Sequence, residues 1–271
     1  MMFLPTYEVV GESDIGSGRT LFLLHGVFGS ARNWRAFAGR LARKFPEFTI
    51  LLVNLRNHGR SPPAPRPHDL GACAADLDAL AQELGVQPEV VCGHSFGGKV
   101  ALVYARDFPE GLRAVWSLDS PPGPVSAAGR ALPSDAGWLL REVKQIPLPV
   151  SPRTAASKAL LKAGIPRRAA TWMATNLYPS EGGGYTWSFD IDGVEEMLSD
   201  YWRIDGYDLI EGLPREIDVH LVRAEESDRW TESDLERTWL LLGQELVRLS
   251  VVRNAGHWLH VDNPEGLLEV L

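Results

Sequence analysis

An α/β fold, with a mostly parallel central sheet flanked by helices and one helical insertion, is predicted by three features of this 271-residue chain. Short apolar runs alternate with longer segments of helical periodicity. The apolar runs are continuous, as in parallel strands buried on both faces. From Pro121 to Leu213 the alternation stops, and no convincing strand is visible.

Strands are expected at Leu21 to Leu24, Thr49 to Leu55, Glu89 to Cys92, Ala114 to Leu118, Val219 to Val222 and Leu246 to Val252. Between them, Trp34 to Lys44 and Asp69 to Leu84 read as helices, the second with Leu70, Cys73, Leu77, Leu80 and Leu84 on one face. Gly98 to Asp107 reads as a further helix, and Asn263-Pro264-Glu265 starts the last one with Asn as cap and Pro in the first turn. The insertion shows only helical fragments, such as Thr154 to Ala163 and Gly193 to Trp202, and is too long for a simple connection. The expected organisation is therefore an α/β core of residues 1–120 and 214–271. Residues 121–213 form a helical cap over the carboxyl edge of the sheet, where open α/β sheets bind ligands.

Composition narrows the function classes. With 45% hydrophobic and 23% charged residues the chain has the make-up of a globular protein with a sizeable core. No apolar run approaches the ~18 residues of a membrane helix. Lys and Arg number 27 against 35 Asp and Glu, a formal charge of −8, which disfavours nucleic acid and anionic lipid as partners. The first residues lack the basic start and apolar core of a secretory signal. Cys73 and Cys92 sit in apolar patterns and are read as free thiols of an intracellular, soluble protein, monomeric or a small homo-oligomer.

The sharpest signal is Gly93-His94-Ser95-Phe96-Gly97, a G-x-S-x-G between a strand and a helix. That context is the nucleophile elbow, a strained turn whose glycines leave room around a serine pushed to the sheet edge. The same stretch also fits G-x-x-x-x-G-K, the phosphate-loop pattern, but Val100 stands where Ser or Thr would hold magnesium. Upstream, His25-Gly26-Val27-Phe28-Gly29 follows a strand and can aim amides at a developing oxyanion: Val27 or Phe28 would give one donor and Phe96 the other.

A serine nucleophile needs a base. Ala255-Gly256-His257-Trp258 follows the last strand and puts His257 at the same edge. His257 and His260 could imitate a metal pair, but no third ligand supports one, so neither metal nor cofactor is expected. Two aspartates keep the chain order Ser, Asp, His. Asp119 ends the strand next to the elbow strand and is followed by Ser120-Pro121-Pro122; Asp228 lies beyond the next strand, in Glu225-Glu226-Ser227-Asp228-Arg229. Asp119 is the favoured acid because adjacent parallel strands lie ~4.8 Å apart, and Asp228 is the alternative.

With these residues in place the chain resembles the α/β-hydrolase superfamily, and within it the esterases of the YbfF and abhydrolase-domain-11 kind. The resemblance covers nearly the whole chain. It rests on Leu24 to Ser30 with Trp34, on Leu55-Arg56-Asn57-His58-Gly59-Arg60-Ser61, on His94-Ser95-Phe96-Gly97-Gly98-Lys99, on Leu118-Asp119, and on Ala255 to His260. It implies an esterase with Ser95 as nucleophile, His257 as base and the acid on the strand after the elbow, hence Asp119; the superfamily's commoner position would point to Asp228. Where that family has glycine before the acid loop, this chain has Ala224.

The function expected is hydrolysis of a carboxylic ester or acyl thioester through a Ser-His-Asp triad and an acyl-enzyme. The insertion is polarised: Pro121 to Trp172 holds eight basic and two acidic residues, Met173 to Leu213 one basic and nine acidic. Lys158, Lys162, Arg167 and Arg168 could steer an anionic acyl carrier such as an acyl-CoA, although a solvated helix face is the favoured explanation of them. The reading from a different class is a ligand-binding receptor or interaction protein that keeps the scaffold with little or no turnover.

Overall fold

The computed structural model describes residues 3–11, 15–16, 18–126, 129, 135–243 and 247–271. The first part of the chain forms β1 (Tyr7–Val10), β2 (Arg19–Leu24), α1 (Arg35–Lys44), β3 (Phe48–Val53), α2 (Leu70–Leu84), β4 (Pro88–His94), α3 (Phe96–Asp107) and β5 (Ala114–Leu118). A largely helical stretch follows, with α4 (Ala136–Lys144), α5 (Thr154–Lys162), α6 (Arg167–Thr175), β6 (Leu177–Pro179), β7 (Tyr185–Trp187), α7 (Ile191–Arg203) and α8 (Gly206–Glu211). The chain then returns to the sheet through β8 (Asp218–Ala224), α9 (Glu232–Leu242), β9 (Val247–Val252), α10 (Leu259–Asp262) and α11 (Pro264–Val270).

The sheet has seven strands in the order β1-β3-β2-β4-β5-β8-β9, all parallel except β1, which runs antiparallel to β3. From β2 the chain moves outward to β3 and then returns to β4 on the other side of β2. That reversal opens a crevice at the carboxyl ends of β2 and β4, the place where such sheets bind ligands. The continuous apolar runs are explained by burial on both faces: every residue of β3 is buried. On β2, Phe22 and Leu24 join α2 and α3, whereas Leu21 and Leu23 join α1 and α11. Asp69 caps α2 by accepting the Ala72 amide at 2.7 Å, and Asn263 caps α11 through the Gly266 amide at 2.9 Å.

Three expectations need correction. The edge strand β1 was not foreseen; it is short and only partly buried, so it lacks the apolar run of the inner strands. The second strand stops at Val53, and Asn54 and Leu55 already belong to the turn that carries Arg56 and His58. The stretch after β5 is not strandless, because β6 and β7 pair antiparallel as three-residue strands. Leu246, the expected start of the last strand, lies outside the described residues.

Among the ties between residues 121–213 and the core is Lys99. Its ammonium, on the fully buried face of α3, donates to the carbonyls of Gly123 at 2.7 Å and of Tyr201 and Ile204 at 3.0 Å each. One core side chain thus binds both ends of the stretch. Burial lowers its pKa to about 7, against the raising effect of Asp234, Asp205 and Asp200. Among the described residues no helix is long and apolar enough to cross a membrane.

Candidate active site

Ser95 sits between β4 and α3 at φ 52° and ψ −118°, a conformation that L-residues rarely adopt. The turn tolerates it because its glycines let backbones touch: a Cβ on Gly93 would lie 1.9 Å from the Gly97 carbonyl oxygen, and one on Gly97 would lie 2.7 Å from that of His25. The Ser95 amide donates to the Leu118 carbonyl at 2.9 Å, which locks the elbow to β5. Phe96 opens α3, where an amide has no partner within its own helix.

Asp119 follows β5 directly, at φ 44°, and is fully buried. Its carboxylate receives four hydrogen bonds. Oδ1 accepts from the Ala224 amide at 3.0 Å and Trp230 Nε1 at 3.1 Å, and Oδ2 accepts from Ser227 Oγ at 2.6 Å and His257 Nδ1 at 2.7 Å. Burial alone would raise its pKa, but the bond and charge of His257, with Ser227 and Ala224, hold it below the ordinary carboxylate value. Asp228 has a different setting: its side chain is 57% exposed and faces Arg229 Nε at 3.5 Å. The structure therefore brings Asp119, and not Asp228, against His257.

His257 lies on the turn after β9. Because a carboxylate only accepts, its Nδ1 carries the proton and Nε2 keeps a lone pair. The ring retains 21% exposure; burial, and next the cation of Arg229, push its pKa below 6.5 against the opposing pull of Asp119. It is neutral at neutral pH. Its main chain is fixed by His94, whose Nε2 donates to the His257 carbonyl at 2.7 Å. Burial and the neighbouring histidines hold His94 well below its ordinary pKa, and Trp34 stacks on His260 at 3.9 Å beside it.

The turn after β2 is held by two more neutral imidazoles. His25 Nδ1 donates to the Gly26 carbonyl at 2.8 Å while Nε2 accepts the Leu55 amide at 3.1 Å. His58 donates through Nδ1 to the Arg56 carbonyl at 2.8 Å and accepts the Phe28 amide at Nε2, 3.1 Å away. Burial lowers His25 to about 3 and His58 to about 4, so both keep the lone pair these bonds require. The Phe28 amide, at φ 63°, is thereby spent inside the protein. Of the two upstream donors expected, Val27 keeps its amide free of protein partners among the described residues.

Two cavities meet at Ser95 and His257. One, of about 100 Å³, is walled by Trp34, Leu139, Trp172 and Trp258; the other, of about 460 Å³, extends past Phe96, Tyr201 and Trp202. Both are lined by Val27 and Arg229. Of the four basic residues singled out in the insertion, Arg168 reaches a cavity beside His257, of about 240 Å³; it pairs with Asp262 and lies over the Trp258 ring at 4.6 Å. Sequence reasoning missed Ser227, Trp230, His94 and His58 because their partners are far along the chain. The one available signal was their position at the end of β4 (His94) or in the loops that follow β8 and β3. Among the described residues, no group of three or more His, Cys, Asp or Glu is placed to hold a metal ion.

Residues 19–229 match the family model of the α/β-hydrolase fold. The chain belongs to the α/β-hydrolase family. It is 27% identical over 261 residues to the sn-1-specific diacylglycerol lipase ABHD11 of Mus musculus, which spans 93% of this chain and 79% of that protein. A shorter match, 33% over 132 residues, is to the N-formylmaleamate deformylase of Pseudomonas putida, covering 48% of this chain and 47% of that enzyme. Among solved structures, one described as a marine microorganism esterase superposes with a TM-score of 0.82 at 24% identity, over 99% of this chain and 98% of its own, and shares the fold. The chain is thus a hydrolase of the α/β fold whose relatives include lipases and a deformylase. The likeness to the abhydrolase-domain-11 esterases, read from the motifs, reappears in the whole-chain matches.

Proposed function

We propose that the protein is a serine hydrolase that cleaves a carboxylic ester or thioester by acyl transfer. Ser95 Oγ attacks the carbonyl carbon while His257 Nε2 takes its proton, and Asp119 holds the ring through Nδ1 and stabilises the imidazolium. The amides of Val27 and Phe96 receive the negative oxygen of the tetrahedral intermediate. His257 then hands the proton to the leaving alcohol or thiol, leaving an acyl-Ser95. Water activated by the same imidazole releases the acid and restores the serine.

The observation that carries this reading is the 2.7 Å bond from His257 Nδ1 to a carboxylate whose other bonds come from the fold itself, at the edge where Ser95 stands in its strained turn. Residues 121–213 act as a cap in this reading, since Ala136, Leu139, Ala169 and Trp172 line the smaller cavity at Ser95. Relatives named as lipases and a deformylase support cleavage at a carbonyl centre.

Steady-state hydrolysis of short-to-long p-nitrophenyl esters, with acyl-CoA thioesters beside them, tests the proposal. Wild-type turnover that disappears in Ser95→Ala supports it and ranks the acyl pocket. No turnover by either protein, or equal turnover by both, rejects it.

A further inference from the structure

A buried lysine ammonium destabilises the fold unless its three N–H donors are met. Lys99 meets all three with main-chain oxygens, those of Gly123, Tyr201 and Ile204, and its nitrogen lies 4.5 Å from the centre of the Tyr201 ring. Among the described residues no carboxylate pairs with it, and the three acids whose charge reaches it are engaged elsewhere. Asp200 accepts the Leu70 amide at 2.9 Å and Arg203 at 2.6 Å. Asp205 caps α8 through the Tyr207 amide and pairs with Arg237 at 2.7 Å, and Asp234 accepts from Thr231 Oγ1 at 2.6 Å at the start of α9. The three carbonyls use up the donors of the charged amine, whereas a side chain without them would leave the carbonyls unmet.

These carbonyls belong to two segments that meet beside the nucleophile. Gly123 lies on the chain that leaves β5 through Asp119, and Tyr201 and Ile204 lie at the end of α7. Two main-chain bonds join the same segments: the Val125 amide donates to the Trp202 carbonyl at 2.9 Å, and the Gly206 amide to that of Pro122 at 2.7 Å. Gly123, Val125, Tyr201 and Trp202 line the cavity of about 460 Å³ that Ser95 and Phe96 share, and the Tyr201 ring packs against the Phe96 ring at 5.6 Å. Lys99 follows Phe96 by three residues on α3. One turn of one helix therefore carries both the amide proposed for the oxyanion and the cation that gathers the cavity wall.

We propose that Lys99 is a positioning residue that sets the chain length of the substrate: by gathering Gly123, Tyr201 and Ile204 it fixes the wall of the larger cavity against which a substrate chain packs. Without it the wall is held by the two main-chain bonds alone, and each added methylene meets a looser surface. The proposal rests on the serine-hydrolase reading and adds what governs its selectivity. It holds whichever side of the ester enters that cavity.

Two ester series form the test, p-nitrophenyl acetate to decanoate for the acyl side and ethyl to decyl acetate for the alcohol side, each with wild type and Lys99→Met. In at least one series Lys99→Met is expected to raise KM progressively with chain length, by about tenfold or more at the longest ester that wild type turns over. The shortest ester of each series should keep kcat and KM within about twofold of wild type, which a general loss of folded protein would not allow. Lys99→Gln, which keeps two N–H donors, should fall between the two proteins. A loss that is the same at every length, or an unchanged KM throughout both series, overturns the role of Lys99 and, with Ser95-dependent turnover, leaves the hydrolase reading standing. Should Lys99→Met fail to fold, Lys99→Gln is judged by the same outcomes. Absence of Ser95-dependent turnover of any ester overturns both.

Discussion

The carboxyl edge of the sheet and the stretch 121–213 packed upon it are built differently. At the edge, each reactive side chain leaves the end of a strand and is held by buried hydrogen bonds of about ordinary length, largely to backbone: Ser95 through Leu118, Asp119 through Val222 and Ala224, His257 through His94. Outside the Lys99 anchor, ion pairs between the stretch and the core lie mostly at the surface, as with Arg66 and Glu196, Arg237 and Asp205, and Arg168 and Asp262. Exposed pairs of this kind contribute ~0–1 kcal/mol each. The lesson is a division of labour. Substitutions at the edge should act on kcat, and substitutions facing the cavities from the stretch should act on KM and on substrate choice.

The largest effect expected at the edge is that of Asp119→Asn. The amide cannot hold His257 in the Nδ1-protonated tautomer as the carboxylate does, and loss of kcat by about 10⁴-fold is expected by analogy with other triads. A near-normal kcat in steady-state assays would move the acid role elsewhere. His58→Ala comes next, because it strands the buried Phe28 amide beside the donor turn. Thermal or urea melts should show a loss of about 1–3 kcal/mol, and kcat should fall as Val27 drifts. Unaltered stability would mean that the turn does not depend on His58.

The pH profile sharpens the same contrast. Catalysis needs neutral His257, whose pKa is lowered by burial and then by Arg229. Activity should therefore rise with pH through a midpoint below 6.5 and stay level above it. Replacing Arg229 with Gln removes one lowering influence, so that midpoint should move to higher pH in kcat/KM profiles; a shift to lower pH would contradict the assignment. The smallest effect is expected for Asp228→Asn, within about twofold of wild type, since an exposed carboxylate paired with Arg229 does little for His257.

The edge was legible in the sequence because its signals are local. The elbow is five consecutive residues, the apolar strands are buried on both sides, and Asp119 and His257 each follow a strand. What was not legible depends on contacts between distant residues. Phe28 and Val27 are adjacent, and only the folded positions of His58 and Phe28 show which amide is consumed. Arg229 stood in the sequence only as the end of the charged run Glu225 to Arg229, although it also lines the nucleophile's cavity. Lys99 read as part of a motif, and the three carbonyls it gathers lie 24 or more residues away. The hairpin of β6 and β7 escaped notice because three-residue strands carry too little alternation to stand out.

Covalent trapping addresses the central claim most directly. A p-nitrophenyl phosphonate ester offers Ser95 a tetrahedral phosphorus that cannot proceed to hydrolysis, and intact mass with peptide mapping reads the product. The account predicts one adduct per chain on Ser95, strongly slowed labelling in His257→Ala, and no adduct in Ser95→Ala. Equal labelling of Ser95→Ala, or an adduct on a different residue, would contradict it.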